Sequence, residues 1–135
     1  MKTLEASATS TAPPAAVWAL LADASTWSQW GAWTESGVEG GGEHAPGAVR
    51  YLVKRPFRMR ERVTDWVAGE RMGYEVLEGM NVKGYKGTVT LEPAAGGGTL
   101  IRWSSVYEKA DPVTALILKL AVRDAAKRLA KAAAA

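Results

Sequence analysis

The chain contains no cysteine, which removes disulfide frameworks, thiolate zinc sites and cysteine nucleophiles from consideration. Its single histidine, His44, rules out any site built on two imidazoles, and a Ser-His-Asp triad would have to run through that one residue. Phe occurs once against six Trp and four Tyr, so the rings are mostly ones that join a large apolar body to a hydrogen-bonding handle. No apolar run reaches the ~20 residues of a membrane-spanning helix. The opening Met1-Lys2-Thr3-Leu4-Glu5 also lacks the apolar core of a secretion signal. A cytoplasmic location without stable membrane insertion is therefore expected. Charge of one sign is scarce too. Seventeen Lys and Arg against 14 Asp and Glu leave a formal net charge of +3, too small an excess to indicate a nucleic-acid partner.

What remains is ordinary globular composition: 135 residues, 47% hydrophobic and 23% charged. The length suits one domain of ~100–200 residues, able to bury a core without staples. Residues 3–10 alternate weakly and read as a strand. Thr11-Ala12-Pro13-Pro14 then opens a helix carrying Val17, Trp18, Leu20 and Leu21, with Thr11 as a candidate cap, and a second short helix follows from Ser25, its expected cap, to Trp30. From there the pattern turns to strands, over 33–39, 48–54, 58–67, 71–78, 82–92 and 99–107. The breaks carry Gly, Pro or turn chemistry, among them Glu43-His44-Ala45-Pro46-Gly47. Short segments with hairpin-length breaks indicate an antiparallel meander.

Asp111-Pro112 is a strong helix start, with an acidic cap and proline in the first turn. Ala115, Leu118, Val122, Ala125, Leu129 and Ala132 then form one apolar stripe, while Val113, Leu116, Ile117 and Leu120 lie on the opposite side. The first two turns are thus apolar nearly all round, and something other than water should cover them. Three covers are open: a homodimer contact, a membrane-touching lip, or a neighbouring loop. The fold expected is α+β, with a curved antiparallel sheet of about seven strands wrapped around the long C-terminal helix and two short helices after the first strand. A single helix cannot fill a wide bent sheet, so a leftover cavity is expected.

Ala12-Pro13-Pro14-Ala15-Ala16-Val17-Trp18-Ala19-Leu20-Leu21-Ala22-Asp23 with Trp27 and Trp30, then Val63-Thr64-Asp65-Trp66, Glu70 to Val76, Tyr85 to Pro93 and Thr99 to Trp103, together resemble START-like, helix-grip domains. Within that SRPBCC superfamily the resemblance is to the polyketide cyclase/dehydrase branch, and it covers nearly the whole chain. It implies a small hydrophobic partner such as a lipid or polyketide held between sheet and long helix. It implies no invariant catalytic motif, so catalysis does not follow from the family name.

Strand parity picks out the residues that would line such a site. Tyr85, Gly87, Val89 and Leu91 share a face, as do Ile101, Trp103 and Tyr107, Met72, Tyr74 and Val76, and Met59, Glu61 and Val63. In 48–54 the inner set is either Val49, Tyr51 and Val53 or Ala48, Arg50 and Leu52. The candidate ligand-binding residues are Tyr51, Met59, Glu61, Tyr74, Tyr85 and Trp103, with Leu118 and Val122 from the helix. Glu61 is the sharpest candidate for acid/base chemistry, with a pocket tyrosine as the alternative, since a carboxyl in an apolar cavity is pushed toward neutral pKa values; the enzyme it would serve is a cyclase or dehydrase. The other readings of Glu61 are a structural ion pair with Arg50 or Arg102, or a solvent-facing position after a bulge. Trp27, Trp30 and Trp33 read as packing between the short helices and the sheet. Arg50, Lys54, Arg55, Arg58, Arg60 and Arg62 read as a solvated edge hairpin or an anion-attracting patch. No metal or cofactor is expected, and His44 reads as a solvated loop residue.

Overall fold

Alternation carries the first strand. In β1 (Lys2–Ser10) Leu4, Ala6, Ala8 and Ser10 turn toward the interior, while Thr3, Glu5, Ser7 and Thr9 are exposed. The computed structural model describes residues 1–42 and 44–135; Glu43, in one of the expected turns, lies outside the described residues. Pro13 and Pro14 end the strand and start helix α1 (Pro14–Ala22). Pro13 occupies the cap position without a side-chain bond, so Thr11 is not the cap. A single 3-10 turn (Ala24–Thr26) leads into α2 (Trp27–Trp30), and its cap is Asp23 rather than Ser25. The Asp23 carboxylate accepts from the Ser25 amide at 3.0 Å and from its hydroxyl at 2.6 Å.

Seven strands form one antiparallel sheet in the order β1-β8-β7-β5-β4-β3-β2, with β2 Glu35–Val38, β3 Val49–Lys54, β4 Phe57–Val67, β5 Arg71–Glu78, β7 Lys86–Pro93 and β8 Thr99–Tyr107. The expected strand over 82–92 is two pieces. Gly84, at φ +69°, turns the chain, and β6 (Val82–Lys83) leaves the main sheet to pair with β9 (Lys109–Ala110). The positive φ of Gly84 is the backbone angle that glycine adopts without strain, and the exposed Glu108 side chain lies alongside it. The β3–β4 hairpin is not the sheet edge, because β2 covers β3. Several of its charges are paired: Arg60 with Glu39 and Glu78, and Arg62 with Glu75.

On β4 the register shifts between Val63 and Asp65, leaving Thr64 as an extra residue opposite β5. The bulge resets the alternation, so Trp66 falls on the inner side beside Val63. There its ring meets Trp18 of α1 edge-on at 5.1 Å.

Helix α3 (Pro112–Ala134) lies across the concave face. Its C-terminal half is anchored by buried Ala126, Leu129 and Ala130, and the Ser10 hydroxyl donates to the Ala130 carbonyl at 2.7 Å. Its N-terminal half reaches the core through Leu118 and Val122. The opposite stripe is uncovered: Val113, Leu116, Ile117 and Leu120 are 68%, 57%, 54% and 53% exposed. No loop of the described chain covers those residues.

Candidate functional site

Register across the concave face brings polar groups from four strands, and from Tyr85 just before β7, into one row. Arg50 on β3 stands opposite Glu61 on β4, and Glu61 opposite Val76 on β5. Two residues along β5, Tyr74 stands opposite Gly87 on β7, which stands opposite Ser105 on β8. Tyr85 precedes Gly87 on the same face. Arg50, Glu61, Tyr74, Tyr85 and Ser105 are all buried, inside a core otherwise made of Leu, Val, Ile, Met and Trp.

At the β3 end, Arg50 Nη2 donates to Glu61 Oε1 at 2.6 Å, with the two residues only 1% and 3% exposed. Arg50 Nη1 lies 3.3 Å from the Met72 sulfur, and its Cζ sits 4.5 Å from the Trp27 ring and 5.6 Å from that of Tyr74. Loss of solvent pushes the Glu61 carboxyl above its ordinary pKa, and the charge and hydrogen bond of Arg50 offset part of that rise. At the other end, Trp103 Nε1 donates to the Tyr74 hydroxyl at 2.9 Å, and the Tyr85 hydroxyl donates to Ser105 Oγ at 2.7 Å. Burial raises the pKa of both tyrosines, Tyr74 strongly. Both therefore stay protonated at neutral pH and can serve as hydrogen-bond donors or acids rather than bases. Tyr85 and Tyr107 stack at 6.5 Å with an interplanar angle of 17°.

Of the residues expected to line a pocket, Met59, Glu61, Tyr74, Tyr85, Trp103, Leu118 and Val122 are all buried within the core. Tyr51 is a correction. Arg50 and Leu52 take the concave side of β3, so Tyr51 points to the convex side. There its hydroxyl lies over Gly37 of β2, and the Arg58 guanidinium sits 5.4 Å from its ring. Arg102 is not the partner of Glu61; it is half-exposed beside Glu5 and Glu92. His44 is half-buried, with Nδ1 accepting from the Ala24 amide at 3.4 Å and Nε2 3.4 Å from Asp23. Sequence reasoning held Arg50 as a possible partner of Glu61, as a member of one of two inner sets and as part of the basic hairpin, and it missed Ser105 and the reach of Trp27. For Arg50 the available signal was its shared parity with Leu52.

Within the expected hollow, Trp27 of α2 reaches down to Trp103 at 5.7 Å and to Arg50, and the rings of Tyr74 and Tyr85 lie 6.4 Å apart beyond them, so these side chains take up part of the space. Two clefts open elsewhere, on the surface. One of about 450 Å³ is lined by Val38, Glu39, Gly42 and residues 45–49, and one of about 280 Å³ by residues 8–11 and the end of α3. Neither includes any of the expected lining residues. Among the described residues no group of three His, Asp or Glu side chains is arranged to hold a metal ion, and no helix is long and apolar enough to cross a membrane.

A bent antiparallel sheet closed by one long C-terminal helix, with two short helices after the first strand, defines a helix-grip protein of the START-like type. The chain belongs to the polyketide cyclase / dehydrase and lipid transport family, whose profile matches residues 1–135. Among solved structures it is similar to the protein XoxI from Bacillus cereus, at 21% identity and TM-score 0.82 over 98% of this chain and 95% of that one. A protein from Nitrosospira multiformis matches at 21% identity and TM-score 0.82, over 96% and 94% of the two chains. Ara h 8.0201 matches at 16% identity and TM-score 0.78, over 98% and 97%. At these identities the likeness is one of fold. No curated protein matches by sequence.

Proposed function

We propose that the protein binds a hydrophobic or aromatic small molecule, lipid- or polyketide-like, between the concave face of the sheet and α3. Met59, Tyr74, Tyr85, Trp103, Leu118 and Val122 form its walls, and Glu61 stands among its polar contacts. The observation that carries this reading is the buried polar row. A core that only had to be stable would gain little from burying an ion pair and two tyrosine hydroxyls among apolar side chains, whereas a site needs a few placed polar groups in an apolar lining.

With Trp27, Tyr74 and Tyr85 crowding the hollow, a ligand parts side chains to enter, and the first turns of α3 are the weakest wall. They present an uncovered apolar face outward, and their start is tied to the rest of the chain by the two-residue β6–β9 ladder and by Asn81 Nδ2 donating to Asp111 Oδ2 at 3.0 Å. Thermal-shift and native mass spectrometry screens with fatty acids, phospholipids and aromatic polyketide-like compounds test the reading. Stabilisation by at least one such class is expected. No shift from any of them, together with a crystal structure whose side chains meet across the hollow, removes the proposal. A cytoplasmic location belongs to the same proposal and is checked by cell fractionation.

A second reading, a cyclase or dehydrase, is favoured by one observation: burial raises the Glu61 carboxyl, which suits proton transfer near neutral pH. Glu61, or Tyr74 or Tyr85 as an acid, would move protons on a poly-ketone chain, a role worth roughly 10²–10⁴-fold in rate. Turnover lost in Glu61→Gln with binding retained supports it. A pKa near 4 for Glu61 by NMR titration takes Glu61 off the acid/base list.

A further inference from the structure

A buried guanidinium is costly unless its donors are used, and Arg50 leaves donors idle. Among the described residues only Nη2 has an oxygen partner, Glu61 Oε1. Nη1 has the Met72 thioether, a weak acceptor. Nε is fully buried and has no partner among the described residues. The carboxylate thus engages one prong of a fork that normally takes two parallel bonds. The rings of Trp27 and Tyr74 stabilise the positive charge but supply no oxygen to Nε.

Building on the ligand-binding reading, we propose that the small molecule carries an oxygen acceptor, a carboxylate or a ketone oxygen, that docks on the Nε–H of Arg50. The site then selects oxygenated apolar molecules over hydrocarbons of the same shape. The polar row continues from Arg50 toward Tyr74 and Tyr85, whose rings lie 6.4 Å apart. A ligand with several oxygens would find further hydroxyl partners along the row.

Equilibrium dialysis with three naphthalenes of matched size tests this: 2-naphthoate, 2-acetonaphthone and 2-ethylnaphthalene. The protein should bind the two oxygenated probes about tenfold or more tighter than the hydrocarbon, the effect of one hydrogen bond to a charged donor. In the double variant Arg50→Met/Glu61→Met, which replaces the pair without stranding a buried charge, all three probes should bind alike. Arg50→Lys keeps the charge but loses the fork, and should retain a preference for naphthoate while losing the one for acetonaphthone. Equal binding of the three probes by the unaltered protein, or a preference that survives in the double variant, overturns the oxygen assignment and leaves the hydrophobic-ligand reading standing. So does a crystal structure of the naphthoate complex with an ordered water, not the carboxylate, on Nε. Binding of none of the probes, with no stabilisation by lipids, removes both.

Discussion

Tyr74 fills the place where Gly87, its partner on the neighbouring strand, would carry a side chain: a methyl group on Gly87 would stand 2.3 Å from Tyr74 Cζ. The glycine is therefore a packing requirement, and it sets the position of a hydroxyl that accepts from Trp103 Nε1. Gly87→Ala should push the Tyr74 ring aside, break that hydrogen bond and cost roughly 1–3 kcal/mol, the usual range for overpacking a core. Urea unfolding reads the loss, and near-ultraviolet circular dichroism reads the changed setting of Tyr74 and Trp103. Unchanged stability and spectrum would mean that the ring moves freely.

Glu61 gives the molecule a pH dependence of a specific sign. Its folded pKa is raised above the ordinary 4.5 by burial, so the folded chain holds this proton more tightly than the unfolded chain does. The contribution of such a group is fully present below the unfolded value and is lost as pH rises through the folded one. Glu61→Gln removes the titration. The stability of the unaltered protein relative to this variant should fall as pH is raised from about 4 toward neutrality, measured by urea denaturation over a pH series. A relative stability that climbs with pH would show that the field of Arg50 outweighs burial and that the carboxylate is ionised throughout.

The parity of the strands was legible wherever one side of the strand is plainly apolar. Val89 and Leu91 fixed the inner face of β7, and with it the inward aim of Tyr85; Ile101 and Trp103 did the same for β8. Strand β3 offered no such contrast, since Tyr51 and Leu52 fit an inner face equally well by composition. Arg50 looked like five other basic residues around the same hairpin. Only the pairing of Arg50 with Glu61 across β3 and β4 separates it from its neighbours, and pairing is a tertiary fact. The crowding of the hollow by Trp27 was illegible for a similar reason. A count of helices and strands predicts room, but whether Trp27 reaches Arg50 and Trp103 depends on side-chain placement that no spacing rule carries. The cap at Asp23 was readable in principle, because Asp two residues before Ser25 is as good an acceptor as the serine itself.

The start of α3 rests on Asp111. Its carboxylate accepts from the Thr114 amide at 2.9 Å and hydroxyl at 2.7 Å, and from Asn81. The backbone hydrogen bond from Thr114 is the main cause of its lowered pKa. A depressed carboxylate contributes stability above its unfolded value and loses it as pH falls. Asp111→Ala should therefore lower the amide-exchange protection of residues 113–117 at neutral pH, and acidification should lower it in the unaltered protein once each rate is referred to the intrinsic exchange rate at that pH. Exchange left unchanged in the variant would mean that Leu118 and the β6–β9 ladder hold the first turns without the cap. The ligand-binding reading adds a second outcome: with its weakest wall loosened, Asp111→Ala should bind apolar probes faster.

The uncovered stripe on α3 bears on self-association. Val113, Leu116, Ile117 and Leu120 recur at helical spacing on one face, the pattern of a helix that packs against another. Four half-exposed side chains fall well short of the ~800 Å² per partner that stable complexes bury. A homodimer through this stripe alone is accordingly expected to be weak, with its mass in light scattering rising with protein concentration. Ile117→Lys combined with Leu120→Lys places charge at the centre of the stripe and leaves Leu118 and Val122 in the core. The variant should remain folded and monomeric at every concentration. A unaltered protein that is itself monomeric throughout would eliminate the homodimer. Self-association that persists in the double variant would move the contact to another face, with the edge strands β1 and β2 the first places to look.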